Sequence, residues 1–355
     1  MAMNHNRPCG TFDTSYEQTM SVVRTPLRWT ILIIFIVAIF VMPRVFSGRL
    51  LSLANLIGIS IVAIQGLNLV TGYCGQMNLG QTAFMAVGAY SSALFISKLG
   101  FPWLLALPCS AITAGLVALL FGLPSLRIKG FYLAMATLAA QFIIPTLLVN
   151  IRPDITGGTH SLIVRPPVIA GFKFNTQAEM FYLIMICAVL ATYLTKNIVR
   201  TGVGRAFIAI RDNDLSAEVM GINTFYYKSL AFFICGLFAG VAGCLWAHWM
   251  RAINPDNFTI MGSIWYLGML IVGGIGSTAG AVFGVVFLRV IDFIATDVSL
   301  SLGQQFPEHM AFFQSAFSVL VQGLVIVLFV VIEPRGLNER WQLFKASYRL
   351  HPFNY

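Results

Sequence analysis

Long stretches without one charged side chain restrict this chain more than anything else in its sequence; they lie at residues 50–97, 99–126, 130–151, 180–195, 229–250, 257–288 and 310–332. A helix needs about 20 apolar residues to cross the hydrocarbon core of a bilayer, so each stretch supplies one or two crossings. Backbone N–H and C=O groups in lipid must pair within the protein, which selects helices over open strands. Composition agrees: 10% of the residues are charged and 58% hydrophobic, whereas soluble domains carry roughly 25% charged residues. The expected fold is all-α, a polytopic membrane protein of about nine to ten transmembrane or broken helices.

Spans are expected near 29–46, 50–70, 74–98, 102–123, 130–150, 179–196, 229–250, 258–273, 277–295 and 311–332. The runs 74–98 and 258–295 are rich in glycine and are expected to hold broken or re-entrant helices. The domain plan is a cytoplasmic tail at 1–28, a transmembrane domain at 29–332 and a cytoplasmic tail at 333–355. With the N-terminus inside, the segments 1–28, 124–129, 197–228 and 333–355 hold the larger share of Lys and Arg. Among these are Arg24, Arg28, Arg127, Lys129, Arg200, Arg205, Arg211, Lys228, Arg335, Arg340 and Lys345, as the positive-inside rule requires. An inverted repeat relating roughly 50–150 to 229–332 is expected from shared glycines.

The net charge of +9 punctuates the membrane interfaces instead of forming a nucleic-acid-binding patch. Cys9, Cys74, Cys109, Cys187, Cys235 and Cys244 make no C-x-x-C, so neither a disulfide framework nor a metal site is expected. Most spans lack ionisable groups, which ion-coupled carriers place near the bilayer midplane; Arg289 and Asp292 fall in the ninth run and read as near its outer interface. The sequence has no Gly-x-x-x-x-Gly-Lys-Ser/Thr phosphate loop, and no convergent nucleophile, acid–base pair or metal set that a membrane enzyme would need. A transporter with neither ion relay nor ATPase draws its drive from a partner; a stand-alone facilitator or ion-coupled carrier is the competing reading.

Segment 197–228 is the candidate receiver of that drive. Residues 204–211 are helix-compatible. Asp212, Asn213 and Asp214 then supply N-cap chemistry for a second short helix, and Gly221 suits a left-handed helix end. Leu215, Val219 and Met220 fall at helical spacing. This small apolar face either docks on a soluble partner or lies on the membrane surface.

Glycines and amides inside the apolar runs also admit two readings. Gly72, Gln76, Gly80, Phe84 and Gly88 repeat every four residues, as do Gly276, Gly280 and Gly284. Small residues at that spacing let helices approach closely. Gln76, Asn78 and Gln81 offer donors and acceptors without fixed charge. They either line a path for a zwitterion or hydrogen-bond between helices, and Asn55 and Asn68 carry the same two readings.

Several of these stretches together resemble a known family. They are Gly72-Tyr73-Cys74-Gly75-Gln76-Met77-Asn78-Leu79-Gly80-Gln81 with Phe84, Gly88, Ala89 and Tyr90; Arg127 to Leu138; Gly204-Arg205-Ala206 through Ala209-Ile210-Arg211-Asp212-Asn213 and Ala217 to Ile222; and Gly273-Gly274-Ile275-Gly276-Ser277 with Glu333-Pro334-Arg335-Gly336-Leu337. Over roughly 50–340 the chain resembles a permease of the branched-chain amino acid ABC importer family, closest to its M-type subunit. The resemblance implies a bacterial inner-membrane complex with a second, related permease, two ABC ATPase subunits that bind ATP and Mg, a periplasmic solute-binding protein and an amino-acid substrate. No cofactor is implied for this chain itself. Carried over by position, Arg211, Asp212, Asn213, Ala217, Glu218 and Gly221 would contact the ATPase. Gln76, Asn78 and Gln81 would line the path, and Gly72, Gly75, Gly80, Gly88, Gly273, Gly274 and Gly276 would serve packing and turns. Asn78 stands where the family usually has serine, and related permeases carry urea, amides or aromatic acids, so the solute stays open.

Overall fold

The computed structural model describes residues 30, 40–123, 131–151, 153–158, 160–169, 171–305, 317–333 and 336–350. The expected tail at 1–28, most of the expected span 29–46, and Arg127, Lys129, Pro334 and Arg335 of the family motifs lie outside these residues. The chain divides into two units, 1–47 and 48–355. In the first, residues 40–45 are helical.

The second unit is helical almost throughout. The helices are α1 (Gly48–Leu67), α2 (Gln81–Ser97), α3 (Trp103–Gly122), α4 (Phe131–Asn150), α5 (Pro153–Thr156), α6 (Gln177–Arg200), α7 (Gly202–Asp212), α8 (Asp214–Val219), α9 (Thr224–Met250), α10 (Ile260–Gly273), α11 (Thr278–Gln305), α12 (Ser318–Ile332) and α13 (Leu337–Leu350). α1 runs on as a π-helical turn, Asn68–Tyr73. Among the described residues six helices are long and apolar enough to cross a membrane individually: α1 with its π turn, α3, α4, α6, α9 and α11. α12 and α13 form a further pair bent by 44°. Two small antiparallel pairings close the connections between spans: β1 (Leu162–Ile163) with β4 (Ala252–Ile253), and β2 (Val168–Ile169) with β3 (Phe172–Lys173).

The glycine-rich runs behave differently from the others. α2 and α10 are short, and each follows non-helical chain, residues 75–80 and a stretch ending at Thr259. Irregular backbone at membrane depth is tolerated only where protein buries it, and side chains satisfy the first break. Thr137 Oγ1 accepts from Leu79 N at 3.0 Å, and Asn78 Oδ1 accepts from Gly80 N at 2.9 Å.

α9 is the central post, packed against α1, α2 and α3. Its glycines set the approach. A Cβ on Gly243 would land on the Met85 carbonyl of α2, and one on Gly88 would land on Gly240. Leucine at Gly243 therefore prevents α2 and α9 from meeting, because backbone cannot yield as a flexible side chain does; overpacking even an ordinary core costs about 1–3 kcal/mol. The expected result is loss of monodisperse protein in fluorescence-detected size exclusion. Gly323→Leu, where a Cβ meets nothing within 4 Å, is expected to leave the profile unchanged.

One sequence expectation needs correction. α11 extends ten residues beyond the expected end at 295, so Arg289 lies about 17 Å along it at the usual rise per residue, well inside the helix. Its guanidinium donates to Ser60 Oγ of α1 at 2.8 and 3.0 Å and lies 3.9 Å from Asp292. Gln322 of α12 donates to Asp292. The charges are held between helices, where paired groups are tolerated.

Candidate functional site

The segments that carry the family resemblance are far apart in sequence, and the fold links Arg211 of the elbow to Gly72, Gly72 to Gly276, and Gly336 to Gly273 and Gly274. The elbow between α6 and α9 comes first. α7 buries Ala206, Phe207 and Ile210, and the chain turns sharply at Asn213. Its side chain accepts from Leu215 N at 3.0 Å and Ser216 N at 3.1 Å, starting α8. Of the three candidate capping residues, Asn213 is the cap. Ala217 is the buried residue of α8. Gly221, at φ 84°, ends the turn in the left-handed region, with Ile222 N donating to Ala217 O at 3.0 Å. Asp214 pairs with Lys228 of α9 at 2.6 Å, and the Lys228 side chain is 6% exposed. This ion pair was not visible in the sequence.

What the elbow displays is apolar. Leu215, Val219 and Met220 are 67%, 87% and 82% exposed, and Glu218 is exposed beside them. Apolar side chains this free of their own protein form a contiguous knob.

Arg211 and Asp212 are, with Asn213, Ala217, Glu218 and Gly221, the contacts with an ATPase that the resemblance implies. Asp212 is exposed, and its Oδ1 accepts from Arg211 Nε and Nη2 at 3.2 and 3.1 Å. Arg211 also turns inward: its Nη1 donates to Gly72 O at 3.2 Å, at the end of the π turn. Gly72 in turn touches Gly276, with a Cβ at Gly72 falling 2.6 Å from Gly276 N. Gly336 rests against Gly273 and Gly274. Gly80 packs on the Thr137 carbonyl. Between elbow and break lies a cavity of about 370 Å³ lined by residues 74–77, Leu133, residues 210–215 and Lys228.

Of the three amides expected on a path, only Gln76 lines this cavity; its Nε2 donates to Cys74 O at 3.3 Å. Asn78 and Gln81 lie behind it, fully buried and engaged with protein. Asn78 Nδ2 donates to Gln81 Oε1 at 3.3 Å, Cys235 Sγ donates to the same oxygen at 3.2 Å, and Gln81 Nε2 donates to Ala63 O at 2.8 Å. Asn68, given two readings from sequence, clasps the turn between α10 and α11: its Oδ1 accepts from Gly276 N and its Nδ2 donates to Ser277 O, each at 3.1 Å.

A second polar cluster escaped the sequence reading. Gln141 Oε1 accepts from Thr82 Oγ1, Ala83 N and Ser263 Oγ, each at 3.0 Å, and its Nε2 donates to Phe258 O at 2.7 Å. One side chain of α4 thus fastens the starts of both short helices, α2 and α10. The only available signal was a glutamine in the middle of the uncharged run 130–151, which also holds Thr137, Thr146 and Asn150. Among the described residues no group of three or more His, Cys, Asp or Glu could hold a metal ion.

The family model described as branched-chain amino acid transport system / permease component matches residues 49–330. The chain belongs to this family. Among its relatives is LivM of Escherichia coli, a high-affinity branched-chain amino acid transport system permease protein, 29% identical over an alignment 332 residues long that covers 86% of this chain and 74% of LivM. LivH of Escherichia coli, which carries the same description, is 25% identical over 174 residues, 49% of this chain and 51% of LivH. A nucleoside ABC transporter permease protein, NupC of Lactococcus lactis subsp. cremoris, is 25% identical over 203 residues, 52% of this chain and 62% of NupC. As a member of this family the chain is a multi-pass membrane permease component, and the elbow, both breaks and the Gln141 cluster all fall within the matched residues.

Proposed function

We propose that this permease is one membrane subunit of an ATP-driven importer for branched-chain or other hydrophobic amino acids, seated in a bacterial inner membrane with its N-terminus inside. The single observation that carries the reading is the elbow. A short capped helix is braced from behind by a buried ion pair and presents an apolar knob with one carboxylate. A membrane-surface helix needs no such brace, whereas a seat for a separate motor does, because a push on a loose loop would be absorbed locally. ATP and Mg are bound by two partner ATPase subunits, and this chain supplies no ATP site. A second, LivH-like permease completes the membrane part, and a periplasmic binding protein delivers the solute.

The chemistry of the path suits a zwitterion without net charge. Gln76 presents an amide to the cavity, while Asn78, Gln81 and Cys235 form a buried hydrogen-bonded group outside its lining. The same cavity is lined by two bases, Arg211 and Lys228, and two acids, Asp212 and Asp214, so its formal charges balance.

In cells stripped of their own leucine uptake systems, expression of this chain with its partner permease, ATPases and binding protein is expected to restore radiolabelled leucine uptake, competed by isoleucine and valine. Competition by adenosine or urea instead overturns the solute class. Uptake that survives replacement of the phosphate-loop lysine in the ATPases overturns the ATP drive.

A further inference from the structure

The inward turn of Arg211 gives the elbow a physical link to the membrane helices. Gly72 O, which accepts from Arg211 Nη1, sits in the last turn of the π segment. Carbonyls there lack onward helical partners and carry the negative end of the helix dipole, so a guanidinium is the fitting cap. The same Nη1 lies 3.0 Å from where a Cβ of Gly276 would stand, and Arg211 Cγ lies 2.8 Å from a Cβ of Gly75. Gly75 and Gly276 have φ of 71° and 77°, so both the left-handed backbone and the space taken by the arginine call for glycine. The Gly276 turn is itself held by α1: by Asn68 through Gly276 N and Ser277 O, and by Gln65 Nε2, which donates to Thr278 O at 3.2 Å. One side chain from the elbow therefore reaches the point where the end of α1 and the start of α11 are already fastened together.

We infer that Arg211 is a positioning residue, a pin that passes displacement of the elbow to the Gly72 and Gly276 turns and through them to α1 and α11. This rests on the elbow being the seat of the ATPase. It goes further, because it takes Arg211 from the docking surface and makes it the first link inside the permease. Asp212 orients the pin from the solvent side by accepting from Nε and Nη2, and Asn68 completes it on the membrane side.

The test uses the whole complex, purified through a tag on this chain and reconstituted with binding protein and leucine. Arg211→Gln is expected to keep its ATPase subunits and to hydrolyse ATP, while leucine moved per ATP falls by roughly tenfold or more, within the range of coupling carried by single network residues. Asn68→Ala should reproduce that uncoupling, and Arg211→Lys, which still reaches Gly72 O, should recover most of the transport. Amide hydrogen exchange at 72–77 and 274–278 should speed up in Arg211→Gln, because local openings are governed by such contacts, and should stay unchanged in Met220→Asp, which alters only the knob. If Arg211→Gln instead sheds the ATPase subunits, Arg211 is a docking contact and the inference is wrong. Unchanged leucine per ATP with unchanged exchange also overturns it. Should Met220→Asp keep both its ATPase subunits and full uptake, the elbow assignment fails, and the exchange measurement still decides independently whether Arg211 holds the turns.

Discussion

Asp214→Ala is expected to lower the unfolding midpoint of the purified permease and to abolish leucine uptake, and Asp214→Ala combined with Lys228→Met to restore the midpoint. Lys228 is almost fully buried, and Asp214 holds it at 2.6 Å. Removing one partner leaves an uncompensated ammonium inside the protein, a loss of about 3–5 kcal/mol. Replacing both with apolar side chains removes the charge along with its need, and such exchanges are often neutral or stabilising. Uptake responds for a separate reason: Asp214 opens α8, so its loss unties the elbow from α9. A scan of tryptophan fluorescence against temperature separates the single from the double variant. A single variant that melts with the parent would show that the pair does not brace the elbow.

Most of the fold was legible because the membrane imposes it. Uncharged runs marked α1, α3, α4, α6 and α9 close to their observed ends, and the glycine excess at 74–98 and 258–295 announced the broken segments without placing the breaks. Local chemistry was equally readable where the partners are sequence neighbours, as with capping near Asn213 and the left-handed end at Gly221. What stayed hidden depended on residues brought together from a distance. Gln141 fastens Thr82 and Ser263, 59 and 122 positions away, and nothing in a linear reading says which of many polar residues will meet. Arg211 was assigned to the ATPase contact by its position in the family motif. Its direction is decided by Gly72 O, a backbone acceptor that has no sequence signature of its own. The end of α11 was missed for a related reason: its polar C-terminal residues continue as helix to Gln305, beyond the expected end at 295.

Val219→Asp together with Met220→Asp is expected to eliminate uptake while leaving the permease as stable as the parent. Both side chains are more than four-fifths exposed, so the folded chain loses little, within about 0.5 kcal/mol for a surface change. At a docked interface the same residues would each contribute on the order of 1.5–3 kcal/mol of apolar burial, and hot-spot losses of about 2 kcal/mol or more each would weaken the complex by two to three orders of magnitude. The expected signature is parental melting and membrane abundance, with the ATPase absent from the purified complex. Parental uptake in this variant would mean that the knob touches nothing that matters.

Every role proposed for the elbow requires the tip of α8 to meet a separate nucleotide-binding chain in the cytoplasm. A photo-crosslinking amino acid placed at position 220 tests this in intact cells, without relying on the native cysteines. The expected product is a covalent adduct between this permease and its ATPase subunit, lost when Asp214→Ala releases the elbow. An adduct to the periplasmic binding protein, or to lipid alone, would contradict the account.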